Sequence, residues 1–186
     1  MDDYPRAPIL TTKEAHLDLQ VWMIVSTNCL AKIATLLGKD ADATKYTQLK
    51  TEYTDALEAN FWDESREIYD EFYYDSNGQK QFDGHSGYLN YWPVFLDLDV
   101  DAVNNERLRS VALKMIDRDN GIWTKYGLRS LSDKDPDFKL GDNYWTSPIW
   151  LNINYLIAAG LKRYADSESL DDSFRAQMRD AYGELR

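Results

Sequence analysis

The feature that most constrains the fold is a helical segment near the start of the chain that is apolar on several sides. Leu17, Val21 and Ile24 follow helical spacing and form one apolar stripe. Trp22 and Val25 extend the apolar surface to other sides of the same segment. A helix of this kind is expected to be buried on several sides, so other elements must surround it.

Apolar and amphipathic helices alternate along the chain. Residues 46–57 place Tyr and Leu on one face and charges elsewhere, which predicts a half-exposed helix. Residues 149–164, after Pro148, are again apolar or neutral nearly all round. Further helices are predicted around 108–115 and 170–185, with a short one around 88–96. An inner ring of helices wrapped by an outer ring would give this pattern. The sequence has no fixed repeat period, which argues against a solenoid.

Three local signals refine this picture. The string TTKE at residues 11–14 has the spacing of a capping box and predicts the start of the first helix, which should end near Gly38. The string REIYDEFYYD is compatible with a short hairpin arm. Residues 116–147 lack helical periodicity and mix aromatic, charged and amide side chains, which indicates the rim of a pocket.

Composition excludes several classes of function. The 186 residues are 44% hydrophobic, enough for one packed domain, and the net charge of −11 argues against nucleic acid as a partner. Cys29 is the single cysteine, so no internal disulfide forms, and zinc-type Cys/His spacing is missing. No apolar run approaches the roughly 20 residues of a membrane span, and no secretion signal or anchor is present.

Aromatic residues with a polar edge are abundant: 13 Tyr and 6 Trp against 6 Phe. Such rings suit sugars, which have both apolar and polar surfaces, although a core rich in large residues explains them equally. Rings at helix ends or loops beside Asp, Arg or Asn are the candidates for sugar contact: Tyr4, Trp22, Tyr88, Trp123, Tyr144 and Trp145.

The first residues carry candidates for acid catalysis. Glycoside cleavage needs two carboxyl groups, and Asp2 and Asp3 are candidates for the acid. Tyr4 could provide a desolvating wall that raises a carboxyl pKa, whereas pairing with Arg6 would lower it. A solvated acidic terminus is the alternative.

Other polar residues allow a binding or a structural role. Asp18 lies four residues before Trp22 and shares its helix face, and His85 lies in a turn-forming DGHSG loop. Asn154 and its neighbour Asn152 either pin the preceding loop or bind sugar hydroxyls. The candidate substrate-binding polar residues are Asp3, Arg6, Asp18, His85, Arg129 and Asp142.

Five strings occur in one order along most of the chain: DDYPRA, HLDLQVWM, HSGYLNYWPVFLDL, YGLRSLS and DNYWTSPIWLNINYLI. Together they resemble the catalytic domain of glycoside hydrolase family 63. The resemblance implies an all-α fold, here a partial (α/α)6 toroid of the six-hairpin glycosidase type. It also implies an inverting exo-α-glucosidase that removes terminal α-1,2-linked glucose from N-glycan precursors in the endoplasmic reticulum lumen, with no cofactor and no metal.

The resemblance assigns residues one by one. In the family's acid motif an apolar residue precedes the acid; Met1 takes that place, so Asp2 is the implied catalytic acid. Thr146 and Ser147 stand where an arginine-containing string is expected, which puts contacts near the site in doubt. The family's base lies in a WEQY-like segment that this chain lacks, and Glu184 is not a substitute.

We therefore expect residues 1–186 to be part of one family 63 catalytic domain, truncated at both ends and without the base. The expected partners are a glucosylated oligosaccharide and the missing remainder of the same domain. A non-catalytic carbohydrate-binding or helical interaction protein, or an unrelated helical scaffold with aromatic residues in its core, are the alternatives.

Overall fold

The computed structural model describes residues 4–7, 13–96, 98 and 106–186. Within these residues the fold is mostly helical, as predicted. The α-helices are α1 (Leu17–Leu36), α2 (Asp40–Asn60), α3 (Trp92–Phe95), α4 (Glu106–Ile116), α5 (Leu151–Asp166) and α6 (Asp172–Leu185). Short 3-10 helices at Tyr88–Tyr91 and Arg118–Asn120 precede α3 and follow α4.

The ends of α1 test two local signals. Gly38 adopts a φ of 65°, and the amide of Lys39 donates to the carbonyl of Ala34 at 2.9 Å, so the predicted helix end near Gly38 is confirmed. The predicted capping box is wrong, because Glu14 lies in an extended strand opposite Tyr73 and the helix begins only at Leu17.

Short antiparallel sheets correct the all-α prediction. The strands are β1 (Glu14–Ala15), β2 (Trp62–Asp63), β3 (Ile68–Tyr69), β4 (Phe72–Tyr74), β5 (Lys80–Phe82), β6 (Trp123–Thr124) and β7 (Gly127–Leu128). They form the sheets β1-β4-β5, β2-β3 and β6-β7. REIYDEFYYD supplies β3 and β4, but these strands pair with different partners and do not form a hairpin together.

Within the described residues, α1 and α5 are each buried on one side, whereas their sequences predict burial on several sides. Helix α1 buries Val21 and Ile24 against the core, whereas Trp22 and Ile33 are 44% and 51% exposed. Helix α5 buries Ile157 in the same way, and its exposed large apolar residues are Leu151 and Tyr155. Each helix therefore keeps one apolar face in the core and leaves another apolar face open.

Helix α1 also corrects the statement that no apolar run approaches the length of a membrane span. Among the described residues, Leu17–Leu36 is the one helix long and apolar enough to cross a bilayer, with a mean hydropathy of 1.3. Core helices of soluble proteins meet the same criterion of length and composition.

Candidate functional site

The described part of the candidate site begins at Tyr4, because Asp2 and Asp3 lie outside the described residues. The Tyr4 side chain is buried, and its hydroxyl donates to the carbonyl of Ser130 at 3.2 Å. The amide of Tyr88 donates to the same carbonyl at 2.9 Å. Burial raises the pKa of the Tyr4 phenol well above its ordinary value, and neighbouring carboxylates such as Asp135 raise it further. Tyr4 thus anchors its segment in the core as a neutral phenol.

Arg6 forms the second anchor of this segment. Its guanidinium pairs with the carboxylate of Glu71 and, at 3.2 Å, with that of Asp18. Burial alone would raise the pKa of Asp18, but Arg6 and the amide of Leu19 hold it below its ordinary value. The predicted residues Arg6 and Asp18 are therefore brought together, in an ion pair at the start of α1.

Glu71 completes this group, although the sequence alone does not single it out. One of its oxygens also accepts a hydrogen bond from the amide of Leu17 at 3.0 Å, at the first turn of α1. The nearby carboxylate of Glu71 raises the pKa of His16, although burial and Arg6 oppose this shift. The available signal is an acidic pair, Asp70 and Glu71, inside an otherwise aromatic run, because acidic side chains are rarely buried unless they are paired.

Buried carboxyl groups lie behind Glu71. Asp70 accepts hydrogen bonds from the amides of Gly84 and Glu71, both at 2.9 Å, yet burial raises its pKa to about 6. Burial raises the pKa of Asp83 to about 7, although His85 opposes this shift. The Oδ1 atom of Asp83 is buried and has no hydrogen-bond partner among the described residues. Burial at this end of the site therefore shifts both carboxyl groups towards the neutral form, although Arg66 pairs with Asp70 at 2.5 Å.

Glu71 and Asp83 both line a small cavity. Its polar lining includes Arg6, His16, Glu71 and Asp83. The volume accessible to water is about 10 Å³. That is roughly the room that one water molecule needs. The cavity therefore fits a water molecule or a single hydroxyl group rather than a sugar ring.

The predicted sugar-contacting rings occupy different settings. Tyr4 and Tyr88 are buried around the carbonyls of residues 128–130, where the Tyr88 hydroxyl donates to Leu128 at 2.5 Å. Tyr144 and Trp145 pack together, with ring centroids 5.8 Å apart. Trp22 lies on the exposed face of α1, and the guanidinium of Arg118 covers the Trp123 ring at 3.5 Å. The structure thus shows two pairs of rings and two separate ones.

The remaining predicted polar residues have local partners. Arg129 pairs with Asp133 at 2.9 Å, and the His85 ring lies 3.0 Å from the carboxylate of Asp135. Asp142 accepts the amide of Tyr144 at 3.0 Å, which stabilises a turn. Sugar contact by these residues stays a prediction.

Asn154 pins the long loop, which is one of the two roles its sequence position allows. Its amide nitrogen donates to the carbonyl of Leu128 at 2.9 Å and to the Tyr88 hydroxyl at 3.0 Å. Its oxygen accepts the amide of Leu128 at 2.8 Å. Asn152, by contrast, is exposed.

The part of the chain that the structure describes contains no group of three or more His, Cys, Asp or Glu side chains arranged to hold a metal ion. The ionisable residues around Arg6 instead satisfy one another by hydrogen bonds and ion pairs. The chemistry that they support is charge balance and hydrogen bonding around an anchored segment.

Comparison with known proteins gives a match over the whole chain. The family described as "Glycosyl hydrolase family 63 C-terminal domain" matches residues 1–186. A probable mannosyl-oligosaccharide glucosidase of Schizosaccharomyces pombe is 37% identical over 187 residues, which cover 100% of this chain and 22% of the relative. The mannosyl-oligosaccharide glucosidase of Saccharomyces cerevisiae is 34% identical over 173 residues, which cover 92% of this chain and 20% of the relative. The chain therefore spans about a fifth of the length of these curated relatives.

Solved structures support the fold. A structure named "Sialidase" superposes with a TM-score of 0.71 at 18% identity and covers 94% of this chain and 16% of the other. The GH63 mannosylglycerate hydrolase of Thermus thermophilus, in complex with glucose, superposes with a TM-score of 0.65 at 20% identity. The match covers 90% of this chain and 36% of the other. At these identities the likeness is one of fold.

Proposed function

The chain belongs to glycosyl hydrolase family 63, and we propose that it forms the acid-bearing part of an inverting α-glucosidase. The proposed reaction releases terminal α-1,2-linked glucose from N-glycan precursors. The observation that carries the proposal is the 37% identity to a probable mannosyl-oligosaccharide glucosidase across all of this chain. The mostly helical fold fits a partial (α/α)6 toroid, and the substrate places the enzyme in the secretory pathway, in the endoplasmic reticulum lumen.

In this proposal Asp2 is the general acid. It protonates the glycosidic oxygen as the bond to the sugar breaks, while a carboxylate elsewhere in the full-length protein activates water on the opposite face. Asp2 lies two residues before Tyr4 and four before Arg6, the two side chains that fix the segment. General acid catalysis needs a proton donor in a defined position, and the anchoring of Tyr4 and Arg6 close by in sequence supports this assignment.

The proposed sugar-binding residues fall into three groups along the sequence. Asp3, Tyr4 and Arg6 lie beside it in sequence, and the other residues are on α1 and on the loops before α3 and α5. No cofactor takes part in the proposed reaction. The remainder of a larger domain is proposed to supply the base and to cover the open faces of α1 and α5.

The test replaces the proposed acid in the full-length protein. Asp2→Asn keeps the shape of the side chain but removes its proton, so glucose release from an α-1,2-glucosylated oligosaccharide should fall by about 10² to 10⁴ fold. Asp55→Asn, a change of the same kind on the exposed side of α2, should leave the rate unchanged. A full rate in Asp2→Asn would exclude Asp2 as the acid and make Asp3 the next candidate.

Binding without turnover is the second candidate function, since a WEQY-like base segment is missing from residues 1–186. Calorimetry with the same oligosaccharide separates the two. Binding by a full-length protein that releases no glucose would favour the carbohydrate-binding hypothesis.

A further inference from the structure

Glu71 connects three parts of the structure through one buried carboxylate. Its side chain is only 5% exposed, and it pairs with the Arg6 guanidinium. It accepts the amide of Leu17 at 3.0 Å at the start of α1, and it lies 3.7 Å from the ring of His16. Its own backbone carbonyl accepts the amide of Asp83 at 3.0 Å, which ties it to the end of the β4-β5 arm. Glu71 therefore joins the N-terminal segment, the first turn of α1 and the arm.

Charge explains why a carboxylate is needed at this position. The α1 N-terminus has no side-chain cap from its own N-cap residue, His16, and it carries partial positive charge. Arg6 adds a full positive charge that is only 16% exposed. A buried guanidinium is costly unless it is paired, so Glu71 and Asp18 together offset both positive charges.

We propose that Glu71 is a positioning residue that holds the Tyr4–Arg6 segment against α1 and so fixes the place of the acid that precedes it. This inference rests on the proposed function for its catalytic consequence. Asp2 precedes Arg6 by four residues in the sequence, so we expect loss of the Arg6 anchor to displace the proposed acid. Displacement of a reacting group by about 1 Å can cost on the order of 100-fold in rate.

Glu71→Gln removes the negative charge of the Glu71 side chain and keeps its size and shape. The amide oxygen of Gln can still accept from Leu17, but it no longer neutralises Arg6. In the full-length protein we expect kcat for glucose release to fall by about 10 to 100 fold. Glu67→Gln removes the same charge from a neighbouring side chain that is 67% exposed, and it should leave kcat unchanged.

Two further readouts do not depend on activity. Hydrogen exchange at residues 4–7 should become faster in Glu71→Gln and stay unchanged in Glu67→Gln. The pKa of His16, followed by NMR, should fall in Glu71→Gln because the Glu71 carboxylate, 3.7 Å from the ring, raises it in the wild type. A third test does use activity. The kcat of the double variant Arg6→Gln/Glu71→Gln should be no lower than that of the slower single variant, since the two residues act as a unit.

The outcomes separate the two proposals. Unchanged exchange at residues 4–7 in Glu71→Gln overturns the positioning role, whatever happens to the rate. Faster exchange with an unchanged kcat overturns its catalytic consequence. If the wild type releases no glucose while the exchange and the His16 pKa change as expected, the proposed function fails and the anchoring by Glu71 stands.

Discussion

Asp83 is a buried carboxyl group whose Oδ1 atom accepts no hydrogen bond from the described residues. Burial raises its pKa to about 7 from an ordinary value of 3.8, so between these values the folded state holds a proton that the unfolded state releases. This contribution to stability is complete below about pH 4 and is lost as the pH rises through about 7. Asp70 acts in the same direction, with a pKa of about 6.

Asp83→Asn removes that titration and keeps the shape. The free energy of unfolding of the wild type should be lower at pH 8 than at pH 5. In Asp83→Asn this difference in free energy should be smaller by roughly 1 to 3 kcal/mol. Urea unfolding at both pH values measures it. Asp55→Asn, on the exposed side of α2, should keep the difference seen in the wild type. A variant Asp83→Asn with the full wild-type difference would show that another group controls this pH range.

Gly87 is required by space rather than by backbone angle. Its φ of −178° suits any residue, but a Cβ there would overlap the Tyr4 hydroxyl and the Ser130 carbonyl oxygen. Gly87→Ala should therefore lose about 1 to 3 kcal/mol of unfolding free energy. Gly183→Ala is the control, because its Cβ meets no atom within 4 Å and alanine favours the helix by about 0.5 to 1 kcal/mol. Equal melting temperatures for the two variants would contradict this contact.

At the scale of elements, α5 and the loop before it form one unit through Asn154. Asn154→Ala leaves the amide of Leu128 without its side-chain acceptor and removes one of the two side-chain donors to the Leu128 carbonyl, so it should lower the free energy of unfolding by about 1 to 3 kcal/mol. Asn152→Ala, two residues earlier on the exposed side of α5, should lower the free energy of unfolding by less than about 0.5 kcal/mol. Chemical denaturation of both variants measures the difference. A cost at Asn152 that equals the cost at Asn154 would exclude the pinning role.

The elements that periodicity predicts well are those whose pattern is local. Helix α4 and the end of α1 at Gly38 follow from apolar spacing and a left-handed glycine, and both are found. The start of α1 does not follow, because residues 14–15 pair with the distant strand β4, and tertiary pairing overrides a local capping signal. The role of Glu71 is hidden for the same reason: Arg6 and Leu17 reach it across 65 and 54 residues.

At the scale of the whole molecule, exposed apolar residues are concentrated on α1, and α5 adds Leu151 and Tyr155. On α1 they comprise Leu19, Trp22, Met23, Leu30, Ile33 and Leu36. Monomeric proteins rarely leave patches much larger than a few hundred Å² uncovered. The sequence predicts that these helices need cover on several sides, and the structure shows which sides the 186 residues leave open.

The last prediction concerns the 186-residue chain by itself, which should self-associate and release no glucose. Covering about 400 Å² of apolar surface is worth roughly 10 kcal/mol at about 25 cal/mol per Å², which gives a strong drive to bury these faces. Light scattering and binding of a hydrophobic dye measure the association. Replacing Ile33 and Leu36 together by Lys should reduce both signals without lowering the melting temperature, because both side chains are exposed, whereas Val21→Lys should unfold the chain because Val21 is fully buried. A sharp melt from a monomer that binds no dye would contradict the association, and glucose release that disappears in Asp2→Asn would contradict the inactivity.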